Sequence, residues 1–328
     1  MTELRFNPLL ARWVTVAGER ASRPSDFVPR QLPVEAEPLR PCPFCPGNEE
    51  ATPPALESYG PKGSWQVRVV PNLYPAFHGS GPLRATGRGP LHRHAPATGI
   101  HEVLVLSPHH RMSWADLSNA QAGLVMAAIR DRIEDHATQN GVEYTQVIVN
   151  HGREAGASIE HPHGQLLGIP FVPGELEAEL QNFAAHADEQ GRGLLQAVLE
   201  EELQLAERVV VQDDRVVAIS PYWSGSPYEL LLIPRRPATH LDRAAPSDLA
   251  AVGRMLRDVL SRLRALLGDI AYNLVFHTAP HRRDAEFCWH VHVLPKTATA
   301  AGFEQGTGVR INVVPPERAT QQLRDIAE

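Results

Sequence analysis

Cysteine is scarce: the 328-residue chain has three, at 42, 45 and 288. They cannot build a disulfide framework, and Cys42-Pro43-Phe44-Cys45 has instead the spacing of a metal half-site or a redox pair. Excess positive charge is missing as well, since 31 Lys and Arg stand against 38 Asp and Glu, for a formal charge of −7. That excludes general adhesion to nucleic acid or to an anionic membrane, so an anionic ligand must meet a local cluster of cations or N–H donors. No apolar run approaches the roughly 20 residues of a membrane span, and the opening MTELRFNPLL lacks the basic-then-apolar layout of a secretory leader. A soluble cytoplasmic chain is the expectation. Aromatic residues are few, at 6%, but hydrophobic residues reach 43% against 21% charged, which is enough to bury a core and too little charge for disorder.

Proline and histidine are plentiful, at 29 and 16. Prolines crowd the stretch from Pro24 to Pro96, which predicts loops with short strands such as Gln66 to Val70 between the breaks. After Gly99 the pattern becomes regular. His101-Glu102-Val103-Leu104-Val105 alternates like a strand, Ser113 with Asp116 makes a capping box, and apolar periodicity predicts a helix from Trp114 to Asn140. Thr145 to Asn150 and His161 to Ile169 read as two further strands. This order then returns. His101 to Val105 matches Tyr228 to Leu232, Tyr144 to Ile148 matches Tyr272 to Phe276, and His161-Pro162-His163 matches His290-Val291-His292, all at nearly constant spacing. A second helix pattern, Ser247 to Leu267, lies between. A tandem duplication explains this order, with helices at Glu175 to Ala185 and Leu194 to Ala206 leading into the second unit.

His161-Pro162-His163-Gly164-Gln165 is the sharpest chemical signal. Residues two apart in a strand share a face, so His161, His163 and Gln165 are expected to point one way, with Gly164 leaving room for a ligand. Pro162 donates nothing to a ladder, which predicts a sheet edge or an opening. An exposed His-rich strand is the plainer alternative. Against it stands the preceding loop, Asn150-His151-Gly152-Arg153 and Gly156-Ala157-Ser158, whose small polar residues suit phosphate oxygens.

On these residues the chain resembles the galactose-1-phosphate uridylyltransferase branch of the histidine-triad superfamily. The resemblance extends over Asn7-Pro8, Arg20 to Pro24, Cys42-Pro43-Phe44-Cys45, Ser107-Pro108-His109-His110, the block from Asn150 to Gln165, and the tail from Gly302-Phe303-Glu304 to Pro315-Pro316-Glu317. It implies an α+β fold of tandem duplicated histidine-triad-like units, each an antiparallel half-barrel sheet with packed helices, divided at 1–172 and 173–328. It also implies that His163 is the nucleophile and that Gln165 contacts the transferred phosphoryl group. Hydrolases of the superfamily carry a third His where Gln165 stands, so Gln165 favours transfer over hydrolysis. The chemistry agrees: a neutral imidazole attacks phosphorus near pH 7 without a separate base, and the protein must add positive charge and N–H donors around the phosphate. The family pattern offers Arg20, Arg23, Asn150, Ser158 and Gln165 for this. The two arginines could equally be ordinary surface charge.

Cys42 and Cys45 fit half of a tetrahedral zinc site, and the resemblance supplies His110 and His161 as the other ligands. A redox role is the rival, but no βαβ unit precedes the pair and Pro46-Gly47 follows it. His290 and His292 share a strand face; the resemblance joins them to His277 and Glu179 in a second site for iron or zinc, while packed histidines left by the duplication are the alternative. The substrate is marked by departures. The family's Asn-Asp-Phe segment near the nucleoside reads Asn72-Leu73-Tyr74 here; the sugar-binding Glu is kept as Glu304 beside Phe303, and an expected Gln reads Arg310. These changes resemble a sister group that phosphorolyses nucleoside-diphosphate sugars such as ADP-glucose. The expected function is uridylyl transfer from UDP-glucose to a hexose 1-phosphate through a uridylyl-histidine, with nucleotide-sugar phosphorylase as the alternative and nucleotide hydrolase less favoured. A silent zinc-stapled binding protein is a fourth reading. The expected partners are a nucleotide sugar and a sugar 1-phosphate, and the resemblance adds a homodimer.

Overall fold

The computed structural model describes residues 2–19 and 41–326. Two N-terminal strands, β1 (Thr2–Asn7) and β2 (Arg12–Ala17), pair antiparallel, and the proline-rich stretch yields only brief strands, β3 (Glu57–Tyr59), β4 (Val67–Pro71), β5 (Thr86–Arg88) and β6 (His92–His94). Then come β7 (Ile100–Val105), helix α1 (Asn119–Thr138), β8 (Tyr144–His151) and β9 (His163–Ile169). After α2 (Gly174–Gln190), α3 (Leu194–Leu205), β10 (Val209–Gln212) and β11 (Val216–Ile219), the same succession recurs as β12 (Leu230–Pro234), α4 (Pro246–Leu267), β13 (Tyr272–His277) and β14 (His290–Pro295). The chain closes with α5 (Gly302–Thr307), β15 (Ile311–Asn312), which runs parallel to β2, and α6 (Pro316–Asp325).

Local signals explain the helix ends. The Ser113–Asp116 box forms, with the Ser113 N–H donating to Asp116 Oδ2 at 2.8 Å, but it starts only the single 3-10 turn Trp114–Asp116. Leu117 is extended, and α1 begins after Ser118, whose hydroxyl accepts from Gln121 N at 3.1 Å. The helix expected from Trp114 is therefore two pieces, because a second N-cap lies five residues past the first. Helix α4 opens with Pro246 at its first turn, where the missing N–H costs no bond.

Ten strands form one sheet in the order β10-β11-β12-β14-β13-β8-β9-β7-β4-β3, every neighbouring pair antiparallel. The two expected antiparallel half-sheets are joined edge to edge: β8 pairs with β13 from Phe276↔Val147 to Tyr272↔His151, so the strands of both repeats share one ladder. Strands flanked on both sides and covered by helices read as nearly continuous apolar runs, as Leu230–Pro234 does with all five residues buried. Helices α1 and α4 cover one face, burying Val125, Ile129, Val252 and Leu256 against Leu104, Val147, Leu166, Leu274 and Val291. On the other face α2 and α3 pack Leu180, Phe183 and Leu195 over Val217, Ile219, Leu231 and Ile233. The Cys42–Cys45 loop caps a third patch, with Phe44 against Val70, Val103 and Val105. Strand alternation sets His163 and Gln165 opposite Leu166, and Asn150 opposite Val149, and so on that second face.

Strand β9 starts at His163, two residues later than expected, and it lies between β7 and β8. Pro162 therefore marks the entry to an interior strand and no sheet edge; its carbonyl still accepts from Leu106 N at 3.0 Å. Gly164 also has another purpose. A Cβ there would meet Ile148 O at 3.0 Å and Val149 Cγ2 at 3.1 Å, so the glycine admits close approach of β8 on the face turned to α1, opposite to the one that bears His163.

Candidate active site

His163 stands at the head of β9 with its Nδ1 2.8 Å from the backbone carbonyl oxygen of His161. A carbonyl only accepts, so Nδ1 carries the proton and the neutral ring presents its lone pair at Nε2. Burial lowers the His163 pKa below the ordinary value, against the opposing pull of the His161 carbonyl. The Phe44 ring lies 5.4 Å away, centroid to centroid, and walls one side.

Two carboxamides flank it. Gln165 Oε1 accepts from His101 Nε2 at 2.8 Å, and Asn72 Nδ2 lies 3.1 Å from the same nitrogen. Asn150 Oδ1 accepts from Asn273 Nδ2 at 2.7 Å, and Asn273 also donates to Ala155 O at 2.8 Å. With its oxygen engaged, Asn150 keeps Nδ2 for a ligand, as a phosphate-facing donor would. The loop beyond turns tightly: Gly152 and Gly156 both take left-handed backbone, at φ 80° and 90°, around the short turn Arg153–Ala155, and a Cβ on Gly152 would meet Ala271 Cβ at 2.6 Å. Ser158 is exposed on this loop. The positions Asn150, Gly152, Ala157, Ile159 and His163 line one crevice.

The ligand atoms of Cys42, Cys45, His110 and His161 lie within 4.8 Å of one another. His161 did not land in the strand: its Nε2–H donates to Ser107 O at 2.7 Å, which turns Nδ1 to within 3.6 Å of Cys45 Sγ, and His110 Nδ1 is 3.4 Å from the same sulfur. A tetrahedron with zinc–sulfur bonds of about 2.3 Å and zinc–nitrogen bonds of about 2.05 Å has a sulfur–nitrogen edge of roughly 3.6 Å, so the spacing suits a metal ion. The carbonyl that orients His161 is the outer support such ligands need.

Glu179, His277, His290 and His292 form a second group within 4.8 Å. His277 Nδ1 is 2.9 Å from Glu179 Oε2, and His290 gives its Nδ1–H to Cys288 O at 2.8 Å, freeing Nε2. Among the described residues, Nε2 of His290 and of His292 is buried with no hydrogen-bond partner. Two orphaned nitrogens converging on a buried carboxylate fit a bound cation better than a packed core. Burial lowers His290 to about 4 and His292 well below the ordinary value, while Glu179 lifts His277 against its burial.

The remaining expected site residues are placed apart. Arg20 and Arg23 lie outside the described residues. Phe303 is 51% exposed, Glu304 accepts from Ala301 N at 3.0 Å at the N-cap of its own helix α5, and Arg310 leads into β15. None of the three lines the crevice at His163. His101 and Asn273 were read only as strand residues of the repeat; their contacts come from cross-strand register, which no local motif encodes.

Comparison with known proteins agrees with this architecture. The family model for the N-terminal domain of galactose-1-phosphate uridyl transferase matches residues 1–173, and that for its C-terminal domain matches 179–309. ADP-glucose phosphorylase of Arabidopsis thaliana is 30% identical over 99% of this chain and 93% of its own. The galactose-1-phosphate uridylyltransferase of Thermotoga maritima is 28% identical over 99% of this chain and 98% of its own. A crystal structure of an Arabidopsis thaliana ADP-glucose phosphorylase with bound ADP-glucose superposes with a TM-score of 0.84 at 27% identity, covering 99% of each chain. Fold and family together define a nucleotidyltransferase. The chain belongs to the galactose-1-phosphate uridylyltransferase family.

Proposed function

We propose that this enzyme splits a nucleoside-diphosphate sugar, ADP-glucose foremost, by double displacement through His163, with inorganic phosphate as the acceptor. The observation that carries the mechanism is the His163 Nδ1 contact to its own backbone at His161, which aims an unprotonated Nε2 outward. Nε2 forms a bond to the α-phosphorus, the bond to the β-phosphate bridge breaks, and glucose 1-phosphate leaves. The ring then bears positive charge, and its Nδ1–H bond to the carbonyl becomes charge-assisted. A phosphate oxygen next attacks the same phosphorus, releasing ADP and restoring neutral His163. Gln165 and Asn150 are the N–H donors to the non-bridging oxygens, joined by Ser158 and, from the family pattern, Arg20 and Arg23.

The choice of donor is supported by the 30% identity to a plant ADP-glucose phosphorylase, by Leu73 between Asn72 and Tyr74, where no carboxylate is offered to a ribose, and by Arg310. Uridylyl transfer between UDP-glucose and galactose 1-phosphate is the second reading, favoured by the two family models and by Glu304 beside Phe303. Cys42, Cys45, His110 and His161 would hold zinc, which ties the Phe44 loop to the sheet. Glu179, His277, His290 and His292 would hold a second ion, iron or zinc.

Labelled glucose 1-phosphate decides the mechanism. It should enter ADP-glucose with no acceptor present, more readily than it enters UDP-glucose, and His163→Ala should abolish both the exchange and the one-nucleotide mass adduct. An adduct persisting in His163→Ala overturns the nucleophile; exchange into UDP-glucose alone, with galactose 1-phosphate preferred to phosphate, hands the donor to the second reading.

A further inference from the structure

Gln165 is a carboxamide, and its two ends act oppositely on a phosphate: the N–H end attracts an anionic oxygen and the carbonyl end repels it. The chain decides which end faces the ligand. The backbone N–H of Ala76 points at His101 Nδ1 from 3.0 Å, and a backbone N–H is always a donor, so Nδ1 carries no proton. A neutral imidazole must then hold its single proton on Nε2. That nitrogen is 2.8 Å from Gln165, where only the carbonyl oxygen can accept. Asn72 Nδ2 lies 3.1 Å from the same nitrogen, but it is a donor whose Oδ1 is held by the Tyr74 N–H at 2.9 Å; it accepts nothing from His101, and its NH2 must turn aside where the Ala76 backbone N–H cannot. The amide nitrogen of Gln165 has no acceptor among the described residues and is left for a ligand.

Register makes this possible. Val103 faces Gln165 and His101 faces Leu167 across β7 and β9, so His101 and Gln165 are diagonal neighbours on the face that bears His163. The His101 carbonyl accepts from Asn72 N at 2.8 Å, which fixes the strand against the loop that delivers Ala76. We propose that His101 is a positioning residue: by holding Gln165 Oε1 it aims the Gln165 amide N–H at the transferred phosphoryl group. The assignment rests on nucleotidyl transfer through His163.

A double-mutant cycle on the glucose 1-phosphate exchange tests it. His101→Ala should lower kcat for exchange by about 10- to 100-fold, the usual cost of losing the support of an active-site ligand, with KM for the nucleotide sugar changed less than about 3-fold. Once Gln165→Ala is present, adding His101→Ala should cost nothing further, because there is no carboxamide left to aim. His101→Gln, which keeps a donor N–H at similar reach, should recover much of the loss, and it closes the same cycle should His101→Ala fail to fold. Losses that multiply, or a His101→Ala effect confined to KM, overturn the assignment. Absence of exchange in the unsubstituted enzyme overturns the parent mechanism instead, which the His163 adduct reports separately.

Discussion

Beneath the sheet, on the face turned to α1, four buried side chains run in line. Glu102 Oε1 stands 3.2 Å from His136 Nε2, His136 Nδ1 3.0 Å from Thr145 Oγ1, and Thr145 Oγ1 2.7 Å from His281 Nε2. Burial, then the neighbouring His136 and Arg282, push His281 down to about 3. The unfolded chain would take up a proton near pH 6.5, the folded chain only near 3. Stability from this group is therefore full above pH 6.5 and falls as pH drops through that window, by up to about 1.4 kcal/mol per unit. Urea unfolding at pH 7 and pH 5 should show the unsubstituted enzyme losing about 1 to 2 kcal/mol more than His281→Gln; equal losses would mean His281 does not stay neutral in the fold. His163, Gln165 and the pair Cys42 and Cys45 were legible because short spacings brought them out, and His110 and His161 joined that pair only through the family resemblance. His101, Asn273 and this buried line were not, since their partners come from other strands and helices.

Between elements, helices α1 and α4 pack closely against each other. Gly253 makes it possible: a Cβ there would meet Ala122 O at 2.7 Å, and its own carbonyl accepts from Trp114 Nε1 at 3.1 Å. In an exposed helix Gly→Ala gains up to roughly 1 kcal/mol. Here the clash is with backbone, which cannot swing aside, so Gly253→Ala should lower stability by about 1 to 3 kcal/mol in denaturant titration. A gain would show that the helices slide apart at little cost. Helix and strand identity came through in the sequence where periodicity was long, as in α4. Boundaries failed where two signals competed: two N-caps ahead of α1, and a proline whose missing N–H could mark an edge or an entry.

At the scale of the whole molecule, the Cys42, Cys45, His110 and His161 cluster and the sheet concern different parts of the chain. The Cys42–Cys45 loop has few apolar contacts beyond Phe44, Val70, Val103 and Val105, so its order should depend on metal. Purified enzyme should carry about one zinc per chain at this group, and Cys42→Ser should lose it and melt several degrees lower, as read by elemental analysis and calorimetry. Unchanged metal content and melting would refute the assignment. The repeat was visible along the chain, yet the joining of its strands into one sheet was not, because nothing local marks β8 as the partner of a strand so far away. That pairing also sets a timetable. Asn150 and its register partner Asn273 are 123 residues apart. At about 5 to 20 residues per second, a ribosome exposes the β8 edge for roughly 6 to 25 s before β13 emerges to cover it. During that interval the nascent chain offers an unpaired strand, Tyr144–His151, to any other nascent copy nearby, so the seam that unites the finished enzyme is also where its synthesis is most open to misassembly.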